Sequence, residues 1–261
     1  MKKIGIIAPS GCVENFNGDI VKKFFEKFEI DVKIFNSCIS KFRYMAGDDN
    51  LRADDINSAF ADKTLDAIIC ARGGYGAIRL LDKIDFDLVS KNKKPFVGFS
   101  DITILLMAFY KFSNLQSFHA PMVVNGILNM NDDEFLQYKN DILNPFYKTK
   151  FKNAVLWGGN LASIVSTFGA YDLIPDDDII LFIEDINEPD YKIDRMLNQI
   201  LLNKKLSSKI KGVIFGDFYG AGKYINEIKQ EFIKKLSCPF EENLNISHNP
   251  KNQVIPFGIK L

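Results

Sequence analysis

Apolar and polar positions in the first half of the chain follow two alternating periods. Ile4–Ala8, Leu65–Cys70 and Pro95–Phe99 are short apolar runs, and Asp31–Phe35 alternates apolar with polar residues; these predict strands. Between them, Asp19–Phe28 sets Ile20, Phe24, Phe25 and Phe28 at helical spacing. Leu51–Phe60 reads as a helix with Asp54 and Asp55 near its start, and Asp101–Phe112 as an apolar helix. The order β–α–β–α predicts an α/β fold, a mostly parallel sheet with helices on both faces. Ligands of such sheets bind at the carboxyl ends of the strands, so chemistry is expected just after each strand.

The pattern changes over Asn129–Lys152, a polar stretch with Pro145 that reads as a linker with one short helix. Beyond it, Ile179–Ile183 and Gly212–Phe215 predict strands, and Tyr191–Leu202 and Ile225–Leu236 predict helices. Two domains are expected, 1–148 and 149–261. Hydrophobic residues make up 47% of the 261, which excludes a largely disordered chain. No run approaches the roughly 20 apolar residues of a membrane span. Lys+Arg and Asp+Glu number 33 each, and a net charge of zero gives no reason to expect nucleic acid or an anionic membrane as partner. The run after Lys2 and Lys3 meets Pro9, Ser10 and Gly11 too soon to read as a secretory leader. Cys12, Cys38, Cys70 and Cys238 fit no zinc or redox spacing. Scattered cysteines suit a reducing compartment, so a cytoplasmic location is expected.

The sharpest motif is Gly98-Phe99-Ser100-Asp101, where a buried strand runs into an apolar helix. This is the setting of a nucleophile elbow, in which a tight turn lifts a serine hydroxyl clear of the sheet. The helix start behind it offers unpaired backbone N–H groups to an oxyanion. A full G-x-S-x-G pattern would have glycine where Ile102 stands, and Ser100 or Asp101 as a helix cap is the competing reading. Arg72-Gly73-Gly74-Tyr75-Gly76 follows another strand. It lacks the third glycine of a dinucleotide loop and any Walker lysine, so it reads as a loop lining a cleft or as a tight turn. Only His119 and His248 can supply an imidazole base, and both stay open on local sequence. Glu184 and Asp185 end a strand, with Glu188 close behind. Surface acids, a carboxylate orienting a histidine, and a metal site compete there, the last without any ligand spacing to support it. Trp157-Gly158-Gly159-Asn160 before a helical run reads as a strand-to-helix turn, or Asn160 offers its amide to a cleft.

Together these stretches resemble the LD-carboxypeptidase family, serine peptidases of the S66 type. The matching pieces run in order from Ile7-Ala8-Pro9-Ser10-Gly11 through the Arg72–Gly76 loop, Gly98–Asp101, Gly158-Gly159-Asn160-Leu161, Glu184-Asp185 and Asp194-Arg195. They end at Ser247-His248 and Pro256-Phe257-Gly258. The resemblance implies a parallel-sheet α/β domain followed by a smaller β-rich domain, with the active site in the cleft between them. It implies a Ser–Glu–His triad, carried over to Ser100, Glu184 and His248, with the backbone N–H groups of Asp101 and Gly74 as oxyanion hole. Arg72, Tyr75 and Asn160 are the expected substrate contacts. The implied reaction releases the terminal D-Ala from a muropeptide tetrapeptide in peptidoglycan recycling, with no metal or organic cofactor, and a homodimer is expected. A related branch cleaves acylated peptide-nucleotide antibiotics as self-immunity, and a catalytically silent ligand-binding module is the reading from another class. Ser247 departs from the glycine common before the family's histidine, and the chain is short for the family.

Overall fold

A computed structural model describes residues 1–248 and 252–261. The first sheet is built from β1 (Lys3–Ile7), β2 (Asp31–Ile34), β3 (Ala67–Cys70), β4 (Phe96–Gly98) and β5 (Ser117–His119). Around it lie α1 (Gly18–Glu26), α2 (Asp49–Ala61), α3 (Phe86–Lys91), α4 (Thr103–Ser113) and α5 (Asp132–Leu143). Strands β1 to β5 pair in parallel in the order β5-β4-β3-β1-β2. Alternation along the strands explains the two-sided cover. Ile6 and Ile69 share one cluster with Phe24 and Phe25 of α1 and Phe135 of α5, while Ile7 and Ile68 share the other with residues of α2, α3 and α4.

The stretch read as a linker with one short helix holds the twelve-residue α5. Asn131 and Glu134 close a capping box at its start, and Phe135, Tyr138 and Ile142 give it a buried stripe.

The second sheet is parallel too, in the order β6-β7-β8-β9: β6 (Val155–Asn160), β7 (Ile179–Ile186), β8 (Ile210–Tyr219) and β9 (Phe240–Glu242). Its helices are α6 (Leu161–Ser166), α7 (Asp190–Leu202), α8 (Lys204–Ser207) and α9 (Ile225–Leu236). One apolar cluster runs through both sheets, joining Leu105 and Phe109 of α4 to Trp157 of β6 and Phe182 of β7.

The chain then returns. β10 (Ile255–Phe257) pairs antiparallel with the outer edge of β5, where Pro256 is tolerated because nothing pairs beyond it in the sheet. Just beyond, Leu156 donates to the Ile259 carbonyl and Asn153 to that of Leu261. Residues 255–261 therefore clasp both sheets. Among the described residues no helix is long and apolar enough to cross a membrane.

Candidate active site

Ser100 follows β4 with a φ of 62°, left-handed backbone that a serine rarely adopts. The turn is tight enough that a Cβ on Gly98 would come within 2.6 Å of Ile102 Cγ2. The space a second elbow glycine would leave open is filled here by Ile102. A short 3₁₀ turn, Ser100–Ile102, leads straight into α4. Neither Ser100 nor Asp101 caps that helix with its side chain, so the cap reading does not hold.

Asp101 does something else. Its carboxylate accepts from Ser10 Oγ at 2.5 Å and from the Ala77 N–H at 2.9 Å. The residue after the serine thus ties the elbow to the loops that follow β1 and β3. Burial drives the Asp101 pKa upward, against the Ser10 hydrogen bond and the Arg52 charge that favour the ionised form. Arg52, fully buried on α2, clamps the same two loops: Nη1 donates to the carbonyls of Pro9 at 2.6 Å and Gly76 at 3.0 Å.

These clamps press the glycine loop onto the serine. A Cβ on Gly73 would lie 2.9 Å from Ser100 Cβ, so only glycine lets the backbone come this close. The Gly73 carbonyl accepts from the Gly11 N–H at 3.0 Å. Gly74, exposed with a φ of 119°, sits beside Gly11. Arg72 is half-buried and Tyr75 half-exposed, its ring 5.9 Å from that of Tyr44.

Glu184 and Asp185 are neighbours on β7 and so face opposite ways. Asp185 accepts from Asn160 Nδ2 at 3.1 Å and from the backbone of Ala162 and Ile186, fastening β7 to α6. Burial, helped by the Glu184 charge, raises its pKa to about 6. Glu184 is fully buried, and His248 Nδ1 lies 2.7 Å from its Oε2. A local irregularity makes that contact possible. Two β8 residues, Gly216 and Asp217, stand opposite Glu184 where the register shifts, as in a bulge. The Asp217 N–H turns to the Ile246 carbonyl at 2.8 Å. A Cβ on Gly216 would strike that carbonyl at 2.5 Å and Glu184 Cβ at 2.9 Å. The bulge thus lays residues 246–248 across β8 beside Glu184. Ser247 is buried there and donates to Asp217 Oδ2 at 3.3 Å.

Burial of His248 opposes its protonation, but the hydrogen bond and charge of Glu184 outweigh it and hold the pKa above the usual imidazole value. The His248 ring packs edge-on to Phe99 at 4.9 Å, which sets it next to the residue preceding Ser100. Among the described residues Nε2 of His248 makes no hydrogen bond. Contacts between nucleophile and base are often looser without substrate. His119 closes β5 behind Phe99, 5.7 Å away between ring centres, and also meets Phe182 at 5.3 Å. Burial, with the His248 charge, lowers its pKa to about 3, so it stays neutral.

The structure therefore joins Glu184 and His248 directly, and the His248 ring meets Phe99, the residue before Ser100 in the chain. Asn160 departs from the expected cleft amide. It is buried at the start of α6, where Oδ1 accepts from the Ser163 N–H and hydroxyl while Nδ2 serves Asp185. Asparagine is among the favoured helix N-cap residues, and that is the role its side chain takes here. Glu188 pairs with Lys192 at 3.2 Å on the surface. The turn read around His248 runs on into Asn249 and Pro250, which lie outside the described residues. The clamp by Arg52, the Ser10–Asp101 bond and the β8 bulge were not read from the sequence. Ser10 and Asp101 stood in the motifs quoted above, but nothing local paired them.

A family model described as the LD-carboxypeptidase N-terminal domain matches residues 4–120, and one described as the LD-carboxypeptidase C-terminal domain matches residues 153–261. The probable murein peptide carboxypeptidase of Bacillus subtilis is 31% identical over 98% of this chain and 87% of its own length. The microcin C7 self-immunity protein MccF of Escherichia coli is 24% identical over 84% of this chain and 76% of its own. Among solved structures, a muramoyltetrapeptide carboxypeptidase from Oxalobacter formigenes matches with a TM-score of 0.83 at 28% identity, covering 98% of this chain and 92% of that one.

Proposed function

Because the chain belongs to the LD-carboxypeptidase family, we propose that it is a serine peptidase that releases the terminal D-Ala from muropeptide tetrapeptides in peptidoglycan recycling. The observation that carries this reading is a strained Ser100 after β4, φ 62°, whose preceding residue Phe99 packs on the His248 of a 2.7 Å Glu184–His248 contact. The names of the Bacillus subtilis and Oxalobacter formigenes relatives support the substrate class.

In this mechanism Ser100 Oγ attacks the carbonyl carbon of the bond to D-Ala, and His248 Nε2 takes its proton. Glu184 fixes the imidazole with Nδ1 protonated and stabilises the imidazolium that forms. Negative charge develops on the carbonyl oxygen. The N–H groups of Gly74 and Asp101 receive it, each worth roughly 3–4 kcal/mol in the transition state. His248 then returns the proton to the leaving amine, D-Ala departs, and water activated by the same imidazole hydrolyses the acyl-enzyme. The Asp101 carboxylate, Ser10 and Arg52 act by position, holding the loops after β1 and β3 against the elbow.

The division into 1–148 and 149–261, a homodimer and a cytoplasmic location belong to the same proposal. The division assigns Ser100 to the first part and Glu184 with His248 to the second, and the four free cysteines suit a reducing compartment. Light scattering on the eluting protein tests the dimer. Incubation with muropeptide tetrapeptide and, separately, with a peptide-adenylate tests the reaction. Loss of D-Ala from the first by mass is the expected result, and cleavage of the peptide-adenylate alone would move the protein to the self-immunity branch.

A further inference from the structure

β6 is the outer strand of the second sheet, so the N–H groups on its free edge need partners from elsewhere. Leu156 gives its N–H to the returning chain at the Ile259 carbonyl. Asn160, four residues on and facing the same edge, gives its N–H to Thr103 Oγ1 at 3.1 Å. Thr103 is fully buried, opens α4 and stands three residues after Ser100. The approach is close. A Cβ on Gly159 would lie 2.6 Å from that oxygen and 2.7 Å from the Thr103 methyl group, so β6 seats on the threonine only because glycine stands there.

The other end of this link is fastened to β7. In the sheet register Asn160 lies directly beside Glu184. Asp185, next in the chain, holds Asn160 Nδ2 at 3.1 Å and the Ala162 N–H at 2.9 Å. Ser163 Oγ, bound to Asn160 Oδ1, also lies 3.4 Å from the Ser100 carbonyl oxygen. The strand that carries Glu184 is thus tied through Asn160 to the turn that carries Ser100. The apolar cluster between the two sheets has no direction of its own and tolerates sliding. A hydrogen bond is directional, and proton transfer needs its partners held within roughly 0.5 Å of the productive geometry.

We propose that Thr103 and Asp185 are positioning residues: the strut Thr103–Asn160–Asp185 sets Ser100 in register with the Glu184–His248 pair. This rests on the triad proposed above. Both side chains are buried and act through Asn160.

The test measures D-Ala release from muropeptide tetrapeptide by wild type and variants. Each protein is also timed in its reaction with a fluorophosphonate, which needs Ser100 and its base but no peptide. Thr103→Val puts a methyl group where the oxygen accepts, leaving the Asn160 N–H unpaired and crowding Gly159. It should lower kcat on the order of 30-fold and leave KM within about twofold. Thr103→Ser keeps the oxygen and should bring kcat back to within about threefold of wild type. Asp185→Asn sets an amide against three N–H donors and should lower kcat about tenfold. It works from the other end of the strut and carries the test if the valine variant does not fold. Because both changes act on one link, the double variant should cost hardly more than Thr103→Val alone. Labelling rates should fall in the same order. Tyr138→Phe is the control: it loses a buried hydrogen bond to the Pro121 carbonyl in α5 and should lower the melting temperature with kcat unchanged.

The proposal is overturned if Thr103→Val or Asp185→Asn melts lower yet keeps kcat and labelling rate, or if Thr103→Ser rescues nothing. It is overturned equally if the two losses multiply in the double variant, which marks unrelated defects. Wild type that is labelled but releases no D-Ala removes the substrate proposed above, and the labelling rates then decide the strut alone. Wild type that is neither labelled nor active removes triad and strut together.

Discussion

Ser10 donates its hydroxyl to the Asp101 carboxylate at 2.5 Å, joining the loop after the first strand to the residue after the proposed nucleophile. The bond is buried, and the carboxylate also holds the Ala77 N–H. Ser10→Ala leaves that oxygen without its hydroxyl partner and should cost about 1–3 kcal/mol of stability. Turnover should drop on the order of tenfold as the elbow loses its register with the glycine loop. Denaturant unfolding and steady-state kinetics check both. Full stability together with full turnover in the variant would show that the bond holds nothing in place.

Ser100→Ala should abolish hydrolysis while the protein stays folded. Ser100→Gly should also be inactive but more stable than Ser100→Ala by up to about 1 kcal/mol, because glycine adopts φ 62° without the left-handed penalty. Thermal melting of the two variants side by side decides it. An alanine variant that melts higher than the glycine variant would mean the elbow stores no backbone strain.

As the proposed base His248 must be neutral to accept a proton, and its pKa is held above the ordinary 6.5. Activity should therefore rise with pH through a limb lying above 6.5. Glu184→Gln removes the largest raising influence and leaves burial opposed only by the Asp185 and Asp217 charges, so the limb should move to lower pH while the maximal rate falls. Stability runs the other way. The ion pair's contribution is complete below the unfolded-state pKa and is lost as pH climbs through the raised folded-state value. The stability gap between wild type and His248→Asn should thus shrink with rising pH, in the range where activity grows. A limb that stays put in Glu184→Gln would detach Glu184 from His248.

The two histidines should separate cleanly. His248→Ala should lower kcat by roughly four to six orders of magnitude. His119→Ala opens a cavity under Phe99 and Phe182 and should cost about 2–4 kcal/mol of stability while kcat stays within about tenfold. If His119→Ala proved the lethal change, the assignment of the base would be wrong. Glu188→Gln, at a surface pair with Lys192, should match wild type.

Much of this was legible because it is local. The runs Leu65–Cys70 and Pro95–Phe99 each contain a strand of the first sheet, Ile4–Ala8 overlaps β1 one residue out of step, and Ile225–Leu236 is a helix with those bounds. Local pattern failed where a distant backbone sets the conformation. Trp157-Gly158-Gly159-Asn160 read as a turn, yet all four lie in β6. Gly158 and Gly159 hold φ of 153° and 134°. A Cβ on Gly158 would meet the Phe182 carbonyl at 1.8 Å, and one on Gly159 would meet Thr103 Oγ1 at 2.6 Å. Glycines that signal flexibility in a sequence here mark close packing. α5 was underread because its polar residues hide a stripe of only three buried side chains. The triad positions came from the resemblance. Composition left two histidines open, and the bulge that favours His248 depends on Gly216 meeting Ile246, a contact between segments far apart in sequence.

The returning strand β10 also imposes an order of assembly. A chain leaving the ribosome has Ser100, the glycine loop and the first five strands long before residues 246–257 emerge. Until then the edge of β5 has no partner, and edge strands left open invite pairing with other chains. Contacts of such high sequence separation are slow to form. On the proposed mechanism the nascent first unit carries Ser100 without its base, and hydrolytic competence arrives only when the late segment docks. Synthesis itself then becomes a safeguard: a chain stalled or clipped before residue 246 would have the proposed nucleophile but not the proposed base.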